Sequence, residues 1–549
     1  MDNLPYDILH IVFSLATRMP HYTPNIWKES LQLAAVCHTW RLLILPMVYK
    51  YGAVQYGDSN TPLQITQTYS LDEPANLEVK SNLGLAVQTG NFGLIKHLAI
   101  RLNYKYSPLY GLQNILNYLY QISHHWHPLK ILEIEIKGNR LLKEYARACI
   151  LFNQYEIQKA ASLLTQLLPQ VNELKFSGYK PTPVAYTIYN QLAWAYCSKI
   201  QGMCSNFPLL NPGTTDFTSL THLEMDFSNN PKCHLPPIYA PTLEYLSLSN
   251  IPLDYDWLPF YGTLPQTTVE FAHLKVLLLN YTENSKYQNA NANLDALLQE
   301  SSRHSVSLMF MVRKLLFPEL EYLHIGTPGI EYHPIFEHSQ FPCELSRLHL
   351  DGSIGMVQML GRLKLPRINQ ITLNLIYDQS PDMSIAFRSI NQICSHAQFA
   401  SNVRLEVYNY EDIQLVSPIN CPYITELDIK AFISATRVFQ LIQRLPRLSK
   451  LELSGIRFTR NDMVCLGNME LISNETVGKS QISYLSILQN IHLQPAEEKM
   501  VMDFILYLLS KLNLLSSLKL RKVPMQPIHK FISENQAAYP HLSAIELNI

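Results

Sequence analysis

The sequence has few charged residues and no excess of either sign. Charged residues make up 16% of the 549 residues, and the formal net charge is −1. Proteins that bind nucleic acid or anionic membranes usually carry a basic patch or run, and this chain has no basic block. We therefore expect neither nucleic acid nor a membrane as a partner.

Cysteine and histidine do not form a recognisable framework. The nine cysteines are odd in number, and no Cys-x-x-Cys spacing occurs, which argues against a disulfide scaffold and favours free thiols in a reducing compartment. His124, His125 and His127 surround Trp126, but no further ligand lies at a useful spacing. The sequence therefore predicts no metal site.

Long apolar runs and targeting signals are also absent. The apolar stretch 501–515 is interrupted by Asp503 and Lys511 and is too short to span a bilayer. The N-terminus, Met1-Asp2-Asn3, lacks the basic region and apolar run of a signal peptide. We expect an intracellular protein that is cytoplasmic, nuclear or both.

Catalytic motifs are missing as well. The chain contains no Gly-rich nucleotide motif, no His-Glu-x-x-His and no Gly-x-Ser-x-Gly. Gly478-Lys479-Ser480 is similar to the end of a phosphate-binding loop, but Ser473 stands where that loop requires glycine. We expect neither an enzyme nor a cofactor.

What the sequence does contain is a hexamer that recurs along most of the chain. In Leu345-x-x-Leu348-x-Leu350 the last two leucines lie two residues apart, so an extended chain places both on one face. The pattern, with Ile, Val or another apolar residue at some positions, starts at Ile95, Leu129, Val171, Leu220, Leu243, Leu274, Leu320, Leu345, Ile368, Ile424, Leu448, Ile482, Leu515 and Leu542, and residues 403–407 look like a degenerate copy. Recurrence every 20 to 50 residues or so is typical of stacked repeats, whose strands bury an apolar face together.

The intervals between hexamers predict helices. Helical apolar spacing occurs in residues 141–168, 383–397, 434–445, 495–512 and 528–537. A Phe-Pro pair precedes the hexamers at Leu320 and Leu345, and we expect its proline to end a preceding helix. Alternating strands and helices predict an α/β fold with a parallel inner sheet and outer helices.

This repeat pattern resembles the leucine-rich-repeat family in an irregular form. The family's Asn or Cys after the hexamer is represented by Asn280 and Asn374, whereas Gly326, Asp351 and Ser454 stand at that place elsewhere. The resemblance implies a repeat solenoid over residues 91–549, preceded by a connecting segment over residues 51–90.

The first 50 residues have a different pattern, with apolar residues at helical spacing after Pro5. About 45 residues in three short helices bury little surface, so we expect a partner to complete them. The segment resembles an F-box in its Leu4-Pro5, Ile8-Leu9, Phe13 and Val36-Cys37-His38-Thr39-Trp40-Arg41, although its link over residues 18–30 is longer than usual in that family.

The combined resemblance implies an adaptor of a Skp–cullin–F-box (SCF) ubiquitin ligase. Residues 4–49 would dock on the Skp-family subunit, and the repeats would hold an unknown target protein. The docking residues would be Leu4, Pro5, Ile8, Leu9, Phe13, Val36 and Trp40. The alternative is a leucine-rich-repeat scaffold whose N-terminal helices only cap the first repeat and have no role in ubiquitination.

Candidate target-binding residues come from the strand alternation. Side chains between the buried positions of a hexamer point to the opposite face, where neighbouring strands about 4.8 Å apart align them in rows. Tyrosine and arginine are among the residues enriched at binding hot spots. The candidates selected in this way are Tyr245, Tyr322, His324, Arg347 and His349; the competing interpretation is an ordinary exposed surface.

Overall fold

The structure, a computed structural model, forms two compact units, Met1–Leu264 and Pro265–Ile549. This boundary was not predicted from the sequence. The residues that the structure describes are 8–9, 12–13, 32–56, 67–69, 79–103, 108–122, 129–137, 143–179, 183–206, 217–229, 241–252, 268–282, 314–327, 339–353, 367–376, 402–408, 423–457, 480–488 and 495–548.

The first unit contains a mainly parallel sheet. Strand β1 pairs in parallel with β4, and β4 to β9 then pair with one another in chain order. Strand β3 lies antiparallel to β1, and β2 lies antiparallel to β3. The bounds are β1 Tyr51–Tyr56, β2 Gln67–Tyr69, β3 Val79–Ser81, β4 His97–Asn103, β5 Ile131–Lys137, β6 Glu173–Tyr179, β7 Gly202–Ser205, β8 His222–Asp226 and β9 Tyr245–Pro252.

Helices in the first unit are tied to the sheet and to each other by buried tyrosines. The Tyr189 hydroxyl donates to the carbonyl of Ser177 at 2.7 Å. The Tyr196 hydroxyl donates to the carbonyl of Leu164 at 3.1 Å, and burial raises the pKa of this phenol well above its usual value. The helices are α1 His38–Val48, α2 Leu83–Gln88, α3 Pro108–Gln121, α4 Lys143–Leu167 and α5 Pro183–Tyr196.

The second unit contains a longer parallel sheet. Its strands pair in chain order, and a small parallel sheet of β10, β12 and β14 accompanies it. The bounds are β10 Thr268–Glu270, β11 Val276–Thr282, β12 Lys314–Leu316, β13 Tyr322–Thr327, β14 Ser339–Gln340, β15 Glu344–Ser353, β16 Arg367–Ile376, β17 Asn402–Tyr408, β18 Glu426–Ser434, β19 Lys450–Arg457, β20 Tyr484–Leu488, β21 Ser517–Arg521 and β22 Glu546–Asn548.

The described helices of the second unit are α6 Ala435–Arg444, α7 Pro495–Lys511 and α8 Gln526–Asn535. Helix α6 begins directly after β18, and the Ser434 hydroxyl caps it by accepting from the backbone N–H of Arg437 at 3.4 Å. Phe439 of α6 packs edge-on against Phe504 of α7, with ring centres 5.1 Å apart. Adjacent helices of this unit therefore share an apolar contact.

The buried leucines of successive hexamers align across the strands. Leu323 pairs with Leu348, which pairs with Ile371, and all three are buried. Fully burying a leucine contributes about 1.5–3 kcal/mol, which a single hexamer could not gain alone. At β17 the copies slide by two residues, because Leu373 pairs with Leu405 and Leu405 pairs with Leu427. An even shift keeps each side chain on its own face.

Two strands of the first unit were not predicted, and in each a polar residue or glycine replaces a leucine. In β1, Gly52 pairs with Leu98; a Cβ on Gly52 would lie 2.6 Å from Leu83 Cδ2, so only glycine fits without a shift. In β7, Ser205 takes the place of the last apolar residue of the hexamer and is buried. Both strands lie in parallel register with neighbouring hexamers, β1 with β4 and β7 with β6 and β8.

The expectation that Phe-Pro ends a helix was wrong for the copies at Leu320 and Leu345. The residues before Phe317 and Phe341 form strands β12 and β14 instead. The two phenylalanine rings stack with centres 5.9 Å apart, and Phe317 also stacks on Phe271 at 5.2 Å. An aromatic stack above a short sheet therefore replaces the expected helix ends, and a proline that follows ends a strand as well as it ends a helix.

The predicted α/β class with a large parallel sheet is confirmed, and every predicted hexamer lies at a described strand. Helices occur in or close to four of the five predicted intervals, at α4, α6, α7 and α8. The fifth interval, residues 383–397, lies outside the described residues.

Candidate functional site

The N-terminal segment is helical where it is described. Residues 8–9 and 12–13 are helical, and Phe13 packs edge-on against Trp40 of α1 with ring centres 4.8 Å apart. The Cys37 sulfur caps α1 by accepting from the backbone N–H of Trp40 at 3.5 Å. The spacing from Cys37 to Trp40 thus begins the helix and directs its aromatic residue inward.

The predicted docking residues divide into a buried set and an exposed set. Leu9, Phe13 and Trp40 are buried, so they hold the segment together. Ile8 is 44% exposed and Val36 is 59% exposed, which leaves them free to contact a partner. Leu4 and Pro5 lie outside the described residues.

Two further exposed apolar side chains belong to this segment. Val12 is 48% exposed and Leu42 is 61% exposed, and neither was singled out from the sequence as a contact residue. Val12 lies four residues after Ile8, so the two share one helix face, a signal that could have identified it. We call Ile8, Val12, Val36 and Leu42 the N-terminal apolar set.

In the first unit, the predicted target-binding residue Tyr245 belongs to a small aromatic and charged group. Its ring stacks on that of His222, the residue directly opposite on β8, with centres 4.0 Å apart. His222 Nε2 lies 3.1 Å from Glu224 Oε1. The group presents a flat ring pair beside a carboxylate.

In the second unit, the other four predicted residues form one cluster on the face opposite the buried leucines, here called the polar face. Tyr322 and Arg347 are directly opposite on β13 and β15, and the guanidinium lies 5.3 Å from the ring centre. Arg347 Nε also donates to Gln370 Oε1 at 3.2 Å. Burial raises the pKa of Tyr322, while the nearby guanidinium opposes this shift.

The two histidines of the cluster converge on one carboxylate that the sequence analysis did not select. His324 and His349 are opposite each other, and their rings stack with centres 4.3 Å apart. His324 Nε2 lies 2.8 Å from Asp351 Oδ2, and His349 Nε2 lies 2.9 Å from Asp351 Oδ1. Burial opposes ionisation of Asp351, but the two histidine hydrogen bonds outweigh it and hold the pKa of this carboxyl far below its usual range.

A row of residues just after the hexamers surrounds this carboxylate. Asp351 is directly opposite Gly326 on one side and Asn374 on the other, and Gly326 is opposite Asn280. Asn374 Nδ2 donates to Asp351 Oδ1. A Cβ on Gly326 would lie 2.6 Å from Asn280 Oδ1. The missing side chain at Gly326 therefore leaves the space that the Asn280 amide occupies.

Further along the same sheet, the polar face is occupied by ion pairs. Lys430 lies 2.7 Å from Asp428, and Lys450 lies 2.7 Å from Glu452. These side chains neutralise one another across short distances. The aromatic and cationic character of the polar face is therefore greatest at β13 and β15.

The described helices include none that is both long and apolar enough to cross a membrane. In comparisons with known proteins, no family model matches this chain and no curated protein matches it in sequence.

Proposed function

We propose that this chain is a substrate-recognition adaptor of an SCF-type ubiquitin ligase. In this proposal the N-terminal helices act as an F-box that docks on the Skp-family subunit. The sheets act as irregular leucine-rich repeats, and their polar face binds a target protein. The adaptor works by position, since holding the target close to the ligase raises its effective concentration there.

The observation that carries the docking step is the concentration of exposed apolar side chains near the N-terminus. Among the described residues, the large apolar side chains that are exposed include Ile8, Val12, Val36 and Leu42, and the rest lie at scattered positions from Tyr120 onward. Exposed apolar groups on a small helical segment favour a protein interface. Their buried neighbours Phe13 and Trp40 keep the segment folded while these groups remain available.

The target-binding step is supported by the cluster at β13 and β15. Tyr322 and Arg347 present an aromatic ring and a cation together, a combination that is common at the energetic centres of protein interfaces. The arginine is exposed, and its planar guanidinium retains donors beyond the one that contacts Gln370. An acidic or aromatic segment of a target protein fits this chemistry best.

The docking experiment is co-purification of the full chain with the Skp-family subunit. Leu42→Glu should lose the subunit, because a charge placed in an apolar contact costs about 2–3 kcal/mol or more, roughly 100-fold in affinity. Leu514→Glu is the matched control, since Leu514 is 59% exposed but lies far along the chain. Failure of the wild-type chain to retain the subunit, or equal retention by Leu42→Glu, contradicts the proposal.

The second candidate function, a repeat scaffold with a helical cap, also has an observation in its favour. Trp40, Leu43 and Ile44 of α1 are buried, and α1 leads into β1 with only Tyr49 and Lys50 between. The Lys50 carbonyl accepts from the backbone N–H groups of both Lys96 and His97. A cap alone would make Leu42→Glu silent in every binding assay, so the same variant distinguishes the two functions.

A further inference from the structure

The ring nitrogens of His324 and His349 and a carboxylate oxygen of Asp351 lie within 4.8 Å of one another. Parallel register explains the convergence. The two histidines are opposite residues on neighbouring strands, and Asp351 lies two residues after His349 on the same face. The backbone of β13 and β15 therefore fixes the three Cα positions, and only side-chain rotation is free.

We propose that His324, His349 and Asp351 form a binding site for a divalent transition-metal ion of the zinc class. Two imidazole nitrogens and one carboxylate oxygen are a ligand set that Zn²⁺ accepts readily. Ca²⁺ and Mg²⁺ favour sites made of oxygen ligands, so the two nitrogens select against them. The proposal is independent of whether the chain is a ligase adaptor.

The present distances correspond to the metal-free form of such a site. Because a carboxylate only accepts, each histidine holds a proton on Nε2 and donates it to Asp351. Zinc bonds of about 2.0–2.1 Å in a tetrahedral site place ligand atoms about 3.3 Å apart. The observed separations of 2.8 and 2.9 Å need to open by only about half an ångström. Metal binding would displace the two Nε2 protons to solvent.

Asn374 supplies the second, independent observation. Its Oδ1 is buried and has no hydrogen-bond partner among the described residues. Its Nδ2 lies 3.0 Å from His349 Nε2, so two donors face each other there. Rotating the amide by half a turn directs Oδ1 towards the histidines, where it becomes a fourth ligand for the metal. One rotation thus removes the donor–donor contact and finds a partner for the buried oxygen.

The competing interpretation is a hydrogen-bonded polar ladder that never holds a metal. In that case Asp351 only accepts from the two histidines, and the orphaned Asn374 oxygen is a tolerated cost of about 1–3 kcal/mol. The two interpretations differ in one property that is directly measurable, the affinity for Zn²⁺.

The experiment is calorimetric titration of the full, untagged, chelator-treated chain with ZnCl₂. We expect one tight ion per chain. His324→Gln and His349→Gln should each weaken binding by more than about 100-fold, and Asn374→Ala by about tenfold. His222→Gln is the matched control, because His222 also lies beside a carboxylate two residues away but has no second imidazole described at that carboxylate. Circular dichroism of the metal-free variants checks that they remain folded.

A second readout identifies the ligands. Co²⁺ in the same site should give the visible absorption of a tetrahedral nitrogen and oxygen site without a thiolate charge-transfer band. Zn²⁺ should also raise the melting temperature of wild type and of His222→Gln but not of His324→Gln. No Zn²⁺ binding by wild type, equal binding by His324→Gln and His349→Gln, or a thiolate band from the cysteines would each overturn the proposal.

Discussion

The guanidinium of Arg347 lies 5.3 Å from the centre of the Tyr322 ring, and the two residues are directly opposite on neighbouring parallel strands. Such a cation–π contact contributes about 0.5–1 kcal/mol at an exposed site. It therefore adds little to folding. Its main effect is to hold a cation and an aromatic ring in one orientation on the polar face, as a binding surface requires.

Arg347→Ala should accordingly separate binding from stability. We expect the free energy of unfolding to fall by no more than about 1 kcal/mol, while proximity labelling loses the proteins that the polar face recruits. Lys519→Ala, at an exposed position on β21, is the control. The full chain is needed, because a fragment starting at residue 91 would remove β1 and leave β4 as an unpaired edge. An unchanged set of labelled proteins in Arg347→Ala would contradict the assignment.

A buried leucine of the hexamer should have the opposite profile. Leu348→Ala removes a side chain buried between Leu323 and Ile371 in the adjacent strands, and we expect a loss of about 2–5 kcal/mol. Ser346→Ala, exposed on the same strand, should be nearly neutral. Because the chain forms two units, the measurement is the urea midpoint of each transition. Equal midpoints for both variants would show that the hexamers do not form a common core.

The success of the hexamer in predicting strands has a physical reason, and so have its failures. A buried leucine at every second position reports directly on which face is covered, so copies such as Leu345-x-x-Leu348-x-Leu350 were found without any family. Strands β1 and β7 were not found because Gly52 and Ser205 stand where the pattern needs leucine. There the neighbouring strands provide the packing, and the strand's own sequence does not show it.

The candidate site was predicted only in part, for a related reason. Alternation along the strands placed Tyr322, His324, Arg347 and His349 on one face, and the structure brings these four together. Asp351 was noticed only as a departure from the repeat pattern, and its role depends on side-chain rotation that the sequence does not reveal. The order in which strands pair turned the residues just after the hexamers into a row.

Gly52 provides a test of close packing in the first unit. A Cβ at this position would lie 2.6 Å from Leu83 Cδ2 and 3.1 Å from Ile95 Cγ2, so Gly52→Ala forces two buried side chains to move. We expect a loss of about 1–3 kcal/mol. Gly93→Ala is the control, because nothing lies within 4 Å of its added methyl group. The comparison uses thermal unfolding, and a Gly52→Ala protein as stable as Gly93→Ala would refute the close contact.

Glu133 should make the stability of the first unit depend on pH. His97 Nε2 lies 2.9 Å from Glu133 Oε2, and this hydrogen bond lowers the pKa of the carboxyl below its ordinary value of 4.5, against the opposing effect of burial. Because the pKa is lower in the folded chain than in the unfolded chain, the ionised group stabilises the fold above pH 4.5. That contribution is lost as the pH falls through the folded-state value.

Glu133→Gln removes this dependence while retaining an acceptor for His97. At pH 7 the variant should be less stable than wild type, and the difference in urea midpoint should shrink as the pH is lowered below 4.5. Glu534→Gln, at an exposed position on α8, controls for the change in net charge. A difference between wild type and Glu133→Gln that stays constant from pH 7 into acid would mean that the carboxylate gains nothing from His97 in the folded state. The two strands would then be held by their buried residues alone, such as Leu98 and Leu132, which are opposite each other.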